Sequence, residues 1–315
     1  MVSYNMPMSE DNVASPSREN PKFGRKIFFL NPPLSFDKGI IEPLRDEEYE
    51  IYVLPDIPST KPIMLENQDA MLFINIDHTM TFKQWFNYIL SYRDEPTLRT
   101  IFIGVVSERA TTSDQQLFLE HLTLQCGFHI ISSSTSILLK NFEKILELNG
   151  AKGNRKYIRL DCKDIKVISA CFINDNKLYE IQINNISSVG FACTFEENSA
   201  HLFKENAVFN NISFTFGRTT IVCPSVVFRI MDNTAVFLFT NAMPLKYKDA
   251  IRKFIHTVLI KKFDLHAKNT MMKDMTNYPN VIDMSAIIMA KEAEKKKEIF
   301  DGDTDFGNLE NVDEP

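Results

Sequence analysis

The chain has 315 residues, with 35 Lys and Arg against 41 Asp and Glu, which gives a formal net charge of −6. Such a length is typical of about two domains of 100–200 residues each. Apolar residues make up 44% of the chain, and 25 Phe against 10 Gly argue against a disordered or fibrous protein. A net negative charge also argues against binding to long nucleic acids or to anionic membranes.

The cellular compartment is predicted from what the sequence lacks. Residues 1–22 are polar and rich in Ser, Asn and Pro, which indicates a disordered leader without the basic and apolar regions of a secretory signal. No run of about 18 apolar residues occurs, so no membrane span is predicted. The odd number of cysteines and the absence of a CxxC pair favour buried, reduced thiols in a cytoplasmic protein without a bound metal or cofactor. These cysteines are Cys126, Cys162, Cys171, Cys193 and Cys223.

Residues 23–150 alternate between short apolar runs and amphipathic segments. Near-continuous apolar strands between such helices are typical of a parallel sheet that is covered on both faces. We therefore predict a flavodoxin-like α/β domain with five strands. The predicted strands are 26–33, 50–56, 69–77, 100–108 and 127–132, and the predicted helices are 36–48, 82–93, 113–126 and 135–150.

Residues 151–268 have a different pattern, in which strand-like runs follow one another with short polar turns at 174–177, 216–218 and 231–233. Short strands at this spacing predict an all-β barrel or sandwich, followed by a helix over 245–265. Residues 269–315 form a polar tail with one predicted helix at 284–300 and an acidic end. The end resembles the start of an EF-hand loop, but its glycine comes one place late, which favours a solvated acidic tail.

The order of elements in residues 23–150 resembles the receiver domain of bacterial response regulators. In that family an acidic pair after strand one and an Asp after strand three bind Mg²⁺, and the Asp accepts phosphate; a hydroxyl and a Lys follow strands four and five. Here strand one ends in Asn31-Pro32-Pro33, and Ile74 or Asn75 stands at the acceptor position.

Two interpretations of this departure remain open. A shifted site could be built on Asp77, with Ser107 at the hydroxyl position, but no Lys follows strand five at 132–134 and the other metal ligands are missing. We therefore predict a degenerate receiver-like domain that serves packing or partner binding.

The β segment carries a two-part motif. Arg155 and Arg159 open it with the spacing RxxxR, and Asn185, Ser187 and Gly190 follow as NxSxxG at the end of a predicted strand. This pair, in this order, resembles the PilZ domain. The resemblance implies a six-stranded antiparallel barrel with a C-terminal helix that binds cyclic di-GMP (c-di-GMP).

The chemistry of the motif fits that ligand. Guanidinium groups match the acceptor pair O6 and N7 of guanine and also the phosphate oxygens, so Arg155 and Arg159 can contact either. Asn185 and Ser187 are two residues apart and point the same way on a strand. Gly190 permits a turn or a close approach of the backbone. Because Asn154 precedes the first arginine, the resemblance leaves the nucleotide stoichiometry open.

The sequence thus predicts a non-enzymatic c-di-GMP receptor that changes conformation, acts through a protein partner and regulates motility or a related behaviour. Residues 151–268 carry 17 Lys and Arg against 10 Asp and Glu, so the predicted ligand domain is basic although the chain is acidic. Two alternatives stay open: a phosphorylatable response regulator with a PilZ output, and a structural adaptor whose barrel binds no nucleotide.

Overall fold

The structure is a computed structural model that describes residues 24–54, 57–131, 134–165 and 167–277, without the side chains of 197–198 and 271–277. The predicted leader (1–22), the predicted helix at 284–300 and the EF-hand-like acidic end lie outside the described residues.

The first domain contains a five-stranded parallel sheet with the strand order β2-β1-β3-β4-β5. This order is that of flavodoxin-like doubly wound sheets, so the predicted α/β class is confirmed. All strand residues except one are at least half-buried, because helices cover both faces. The strands are β1 (Ile27–Leu30), β2 (Ile51–Leu54), β3 (Met71–Asn75), β4 (Phe102–Ser107) and β5 (Phe128–Ile130).

Four α-helices connect these strands, and a fifth follows the last strand and leads to the second domain. Their starts follow local chemistry: Thr81 and Thr111 each form a capping box with a side chain three residues later. A seven-residue helix with an internal proline, Pro62, was not predicted from the sequence, since so short a segment shows little periodicity. The helices are α1 (Glu42–Asp46, preceded by a π-helical segment Asp37–Ile41), α2 (Thr60–Glu66), α3 (Phe82–Leu90), α4 (Thr112–His121) and α5 (Thr135–Leu148), with a 3₁₀ turn at Leu98–Thr100.

The second domain is a closed antiparallel barrel of six strands with one short extra strand at its side. The ladder runs β8-β7-β10-β11-β12-β9, and the pairing of β8 with β9 closes it. The barrel and helix that the PilZ resemblance implies are therefore present. The strands are β6 (Leu160–Asp161, the extra strand), β7 (Ile168–Asn174), β8 (Lys177–Ser187), β9 (Gly190–Thr194), β10 (Val208–Phe216), β11 (Thr219–Met231) and β12 (Thr234–Phe239), with a 3₁₀ segment at Glu197–Leu202.

Tight turns and aromatic side chains hold the barrel together. Asp175 and Asn176 both have positive φ (48° and 61°) between the paired residues Asn174 and Lys177, which is the backbone of a type I′ hairpin turn. In the core, the rings of Phe191 and Phe237 are stacked with centroids 4.7 Å apart.

The final helix, α6 (Leu245–Asn277), joins the two domains. Its first half packs on the barrel, where Ile251 and Ile255 are fully buried, and Leu259 contacts the cores of both domains. Further along, the ring of Phe263 lies 4.5 Å from that of Tyr52 on β2. The sequence predicted a helix over 245–265, and the structure continues it across the α/β domain.

No helix in the described part of the chain is long and apolar enough to cross a membrane. All five cysteines are free thiols, and burial raises the pKa of the Cys193 thiol to about 12. Within the described ranges, no group of His, Cys, Asp and Glu has the arrangement of a metal site.

Candidate functional site

The two halves of the predicted motif meet beside one short strand. Arg155 and Arg159 are both exposed in the segment between α5 and β6. Strand β6 pairs with β8 in the register Leu160↔Ile186 and Asp161↔Asn185. Continued by one residue, this register puts Arg159 opposite Ser187. The RxxxR segment therefore runs directly onto the strand that carries NxSxxG.

Asn185 and Ser187 lie on the outer face of the barrel. They flank Ile186, which is fully buried in the core, and successive side chains of a strand point to opposite faces. Asn185 is half-buried and pairs with Ala192 on the neighbouring strand. Ser187 is buried, and its Oγ donates a hydrogen bond of 3.0 Å to the carbonyl oxygen of Gly190. This serine thus fixes the β8–β9 hairpin.

Gly190 is required by a close approach of two strands. It pairs with Ser187 on one side and with Leu238 on the other. A Cβ at this position would lie 2.1 Å from the carbonyl oxygen of Phe237, far inside van der Waals contact. The motif glycine is therefore part of the barrel closure, a role for which no ligand is needed.

Glu48 of the α/β domain also reaches this place, which the sequence analysis missed. Glu48 follows α1 and ends it in a Schellman motif, in which one residue takes the left-handed backbone conformation. The amide of Glu48 donates a hydrogen bond to Arg45 O, and the amide of Tyr49 donates one to Leu44 O. Glycine is usual there, whereas Glu48 has a φ of +66°. This backbone costs an ordinary residue about 1–2 kcal/mol.

The carboxylate of Glu48 contacts both halves of the motif region. Its Oε2 accepts a hydrogen bond of 3.2 Å from the backbone amide of Ile158, the residue before Arg159. Burial raises the pKa of Glu48, and a hydrogen bond with the Ser188 side chain opposes that shift. Ser188 lies in the β8–β9 turn. No sequence pattern marks this glutamate, because its partners are more than 100 residues away.

The same turn of the α/β domain is fixed to α6. The carbonyl oxygen of Arg45 is 3.0 Å from Nε2 of the buried His256, which must be the donor, since a carbonyl only accepts. One residue later, Asp46 O accepts a hydrogen bond of 2.7 Å from Nη1 of Arg252. Burial is the main cause that lowers the pKa of His256 to about 4, so the imidazole is neutral at pH 7.

The receiver-like site at the carboxyl end of the sheet is filled by its own side chains. Asn75, one of the two residues predicted at the acceptor position, is fully buried, and its amide donates a hydrogen bond of 2.8 Å to Asn31 O. Asp77 lies two residues beyond β3. Its Oδ1 accepts from Ser107 Oγ at 2.5 Å, and its Oδ2 accepts from the Glu108 amide at 2.6 Å. This carboxylate therefore ties the β3 loop to the end of β4.

No protein-family model and no curated protein sequence matches the chain. Solved structures with similar backbones include the PilZ domain of YcgR from Escherichia coli with c-di-GMP (14% identity, 37% of this chain and 98% of that one, TM-score 0.31). Another is the MrkH–c-di-GMP complex from K. pneumonia (16% identity, 35% of this chain and 53% of that one, TM-score 0.31). The similar region thus covers about half of the MrkH chain. A third is a response regulator from Desulfuromonas acetoxidans (16% identity, 40% of this chain and 98% of that one, TM-score 0.33). These similarities concern backbone shape.

Proposed function

We propose that this protein is a receptor for c-di-GMP, and that the nucleotide binds on the outer face of the barrel between the Arg155–Arg159 segment and the β8–β9 hairpin. The observation that carries the proposal is the pairing of β6 with β8, which puts Arg159, the last residue of RxxxR, beside the strand that carries the NxSxxG residues. These residues are 26 or more positions apart in the sequence, so their proximity is a property of the fold.

The donors and acceptors of this region suit the ligand. Arg155 and Arg159 are exposed, and guanidinium groups are donors that match a phosphate or the O6 and N7 atoms of a guanine. The half-buried Asn185 amide offers both a donor and an acceptor to the edge of a base. Ser187 and Gly190 act differently in this proposal: they fix the hairpin that supports the site.

The remaining parts of the proposal follow from the first. A receptor needs no catalytic group, and we assign none; we also assign no metal or other cofactor. Five unpaired thiols are consistent with the reducing cytoplasm. Through α6, which packs on both domains, a change at the barrel is passed to the α/β domain, whose surface we propose to contact a protein partner. Control of motility is one output that such a receptor serves.

A phosphorylatable response regulator is the second candidate, and the surroundings of Asp77 argue against it. Both of its carboxylate oxygens already accept short hydrogen bonds from Ser107 and Glu108. Phosphoryl transfer to an aspartate needs a divalent cation, which carboxylate ligands hold. The side chain of Asn75 accepts a hydrogen bond from the backbone amide of Asp77 and donates one to Asn31 O, and neither asparagine offers a charge to such an ion.

Isothermal titration calorimetry with c-di-GMP tests the proposal on the wild type, on Arg159→Ala and on a control, Arg229→Ala. Arg229 is also exposed but lies near the β11–β12 hairpin, at the other end of the barrel. Losing a charge-assisted hydrogen bond costs roughly 1.5–3 kcal/mol, so Arg159→Ala should weaken binding by about ten-fold or more. The control should bind like the wild type. Absence of binding to the wild type, or unchanged binding to Arg159→Ala, would show that the proposal is wrong.

A further inference from the structure

We infer that Glu48 is an autoinhibitory latch: it holds the Arg155–Arg159 segment against the α/β domain, and c-di-GMP must displace it to bind. This inference rests on the proposed function, because it concerns the regulation of the same site.

The position of the latch follows from its hydrogen-bond partners. The Glu48 carboxylate accepts from the amide of Ile158, which lies between the two arginines, and it interacts with Ser188, which lies inside the NxSxxG hairpin. A single side chain from the first domain therefore contacts both parts of the motif. While the Ile158 amide is bound, the backbone between Arg155 and Arg159 cannot move freely over the barrel face.

The charge of Glu48 makes it a competitor for an anionic ligand. Lys152 and Arg252 both favour its ionised form, and Arg252 is shared with Asp46 and Asp249. Arg155 and Arg159 flank the residue that it binds. A phosphate placed among these groups would be attracted by the same cations and repelled by the half-buried carboxylate. Ligand and carboxylate therefore exclude each other on electrostatic grounds.

The remaining contacts indicate which partner moves. Glu48 belongs to the turn after α1, which His256 and Arg252 of α6 bind through the carbonyl oxygens of Arg45 and Asp46. That turn is firmly held. At its start, the 151–159 segment is anchored by the amide of Arg25, which donates a hydrogen bond of 2.8 Å to Ala151 O, and at its end by β6. Between these anchors, the bond from the Ile158 amide to Glu48 joins the segment to the α/β domain, as does the ammonium group of Lys152, which lies 4.5 Å from the ring of Tyr49. The Ile158 side chain itself packs on the barrel core, so release of the bond to Glu48 detaches this backbone from the α/β domain and leaves it on the barrel.

The latch and nucleotide binding affect each other by the same factor. If the latched state binds c-di-GMP more weakly, then bound c-di-GMP must weaken the latch by the same factor. Loss of the latch is therefore expected to strengthen nucleotide binding, whereas loss of an ordinary supporting contact would weaken it. The sign of the change separates a latch from a structural role.

The experiment compares c-di-GMP affinity by calorimetry for the wild type, Glu48→Ala and the control Glu47→Ala, all as full-length protein. The control removes one negative charge from the neighbouring, exposed position, so it accounts for long-range electrostatics. Hydrogen exchange of the Ile158 amide is measured on the same samples. We expect Glu48→Ala to bind about five-fold or more tightly than the wild type, with Glu47→Ala close to the wild type. The Ile158 amide should exchange faster in Glu48→Ala and, in the wild type, faster when c-di-GMP is bound.

Each other outcome has a definite meaning. If Glu48→Ala binds c-di-GMP and the wild type and Glu47→Ala do not, the latch is supported, since it then blocks binding completely. Equal or weaker binding by Glu48→Ala, with a wild type that binds, would overturn the latch and leave the receptor proposal standing. If neither protein binds c-di-GMP, both the receptor proposal and the latch are wrong. A tighter Glu48→Ala matched by an equally tight Glu47→Ala would reduce the effect to general charge and also overturn the latch.

Discussion

His256 should make the stability of this protein depend on pH between about 6.5 and 4. The imidazole is 8% exposed, is hydrogen-bonded to Arg45 O, and lies near the cations Arg45 and Arg252 and the anion Asp46. Burial lowers its pKa from 6.5 to about 4 in the folded protein. Between pH 6.5 and pH 4, His256 is therefore protonated in the unfolded chain but still neutral in the folded chain. The free energy of unfolding falls as the pH is lowered, until the pH reaches the pKa of His256 in the folded protein.

The size of this effect follows from the two pKa values. A difference of about 2.5 units at about 1.4 kcal/mol per unit corresponds to roughly 3 kcal/mol lost between pH 7 and pH 4. Because α6 packs on both domains, this loss weakens the contact between them. Other groups also titrate in this range, so the comparison must be made with a variant that lacks only the imidazole.

The variant His256→Gln keeps an N–H donor for Arg45 O but has no titration in this range. Urea unfolding of both proteins from pH 7 to pH 4 should show the wild type losing roughly 3 kcal/mol more than His256→Gln. NMR titration of the His256 ring in the folded wild type should give a midpoint well below 6.5. Parallel pH curves for the two proteins, or a midpoint near 6.5, would refute the assignment.

Two further predictions concern the motif glycine and the receiver-like carboxylate. Gly190→Ala forces a Cβ to 2.1 Å from Phe237 O and should lower the free energy of unfolding by about 2 kcal/mol or more. The control Gly217→Ala has only a positive φ to accommodate and should lose about 1 kcal/mol. Chemical denaturation measures both variants, and equal losses would contradict the role of Gly190 in barrel closure. Incubation with acetyl phosphate and Mg²⁺ should leave Asp77 unmodified by mass spectrometry, because the residues after β1, Asn31-Pro32-Pro33, supply no carboxylate for the metal ion. A phosphorylated Asp77 would overturn the degenerate assignment.

Much of the fold was predictable because it depends on local patterns. Buried parallel strands such as Met71–Asn75 are continuous apolar runs, and the type I′ turn at Asp175–Asn176 is visible as polar residues between two strands. The short helix α2 escaped prediction because seven residues with an internal proline carry too little periodicity. The length of α6 was underestimated, because the part after residue 265 is stabilised by contacts with the first domain, where Ala267 is buried in the core and His266 pairs with Glu66.

The candidate site, like the fold, was predictable only where it depends on local sequence patterns. RxxxR and NxSxxG are short patterns, so the sequence alone could name Arg155, Arg159, Asn185, Ser187 and Gly190 as candidates. Their proximity depends on the pairing of β6 with β8, which joins residues about 25 positions apart. The roles of Ser187 in fixing the hairpin and of Gly190 in closing the barrel can be recognised only from the paired strands. Whether these five residues bind c-di-GMP is the prediction that calorimetry will decide.

By itself, the sequence determined the classes of the two domains, the reversal of charge between them and the identity of the motif residues. These are properties of neighbouring residues, which a pattern records directly. The tertiary structure alone decided that α6 joins the two cores and that Glu48 reaches the arginine segment 110 positions away. Contacts of this kind depend on how complete elements pack, and a carboxylate leaves no local signature of the amide that it will bind.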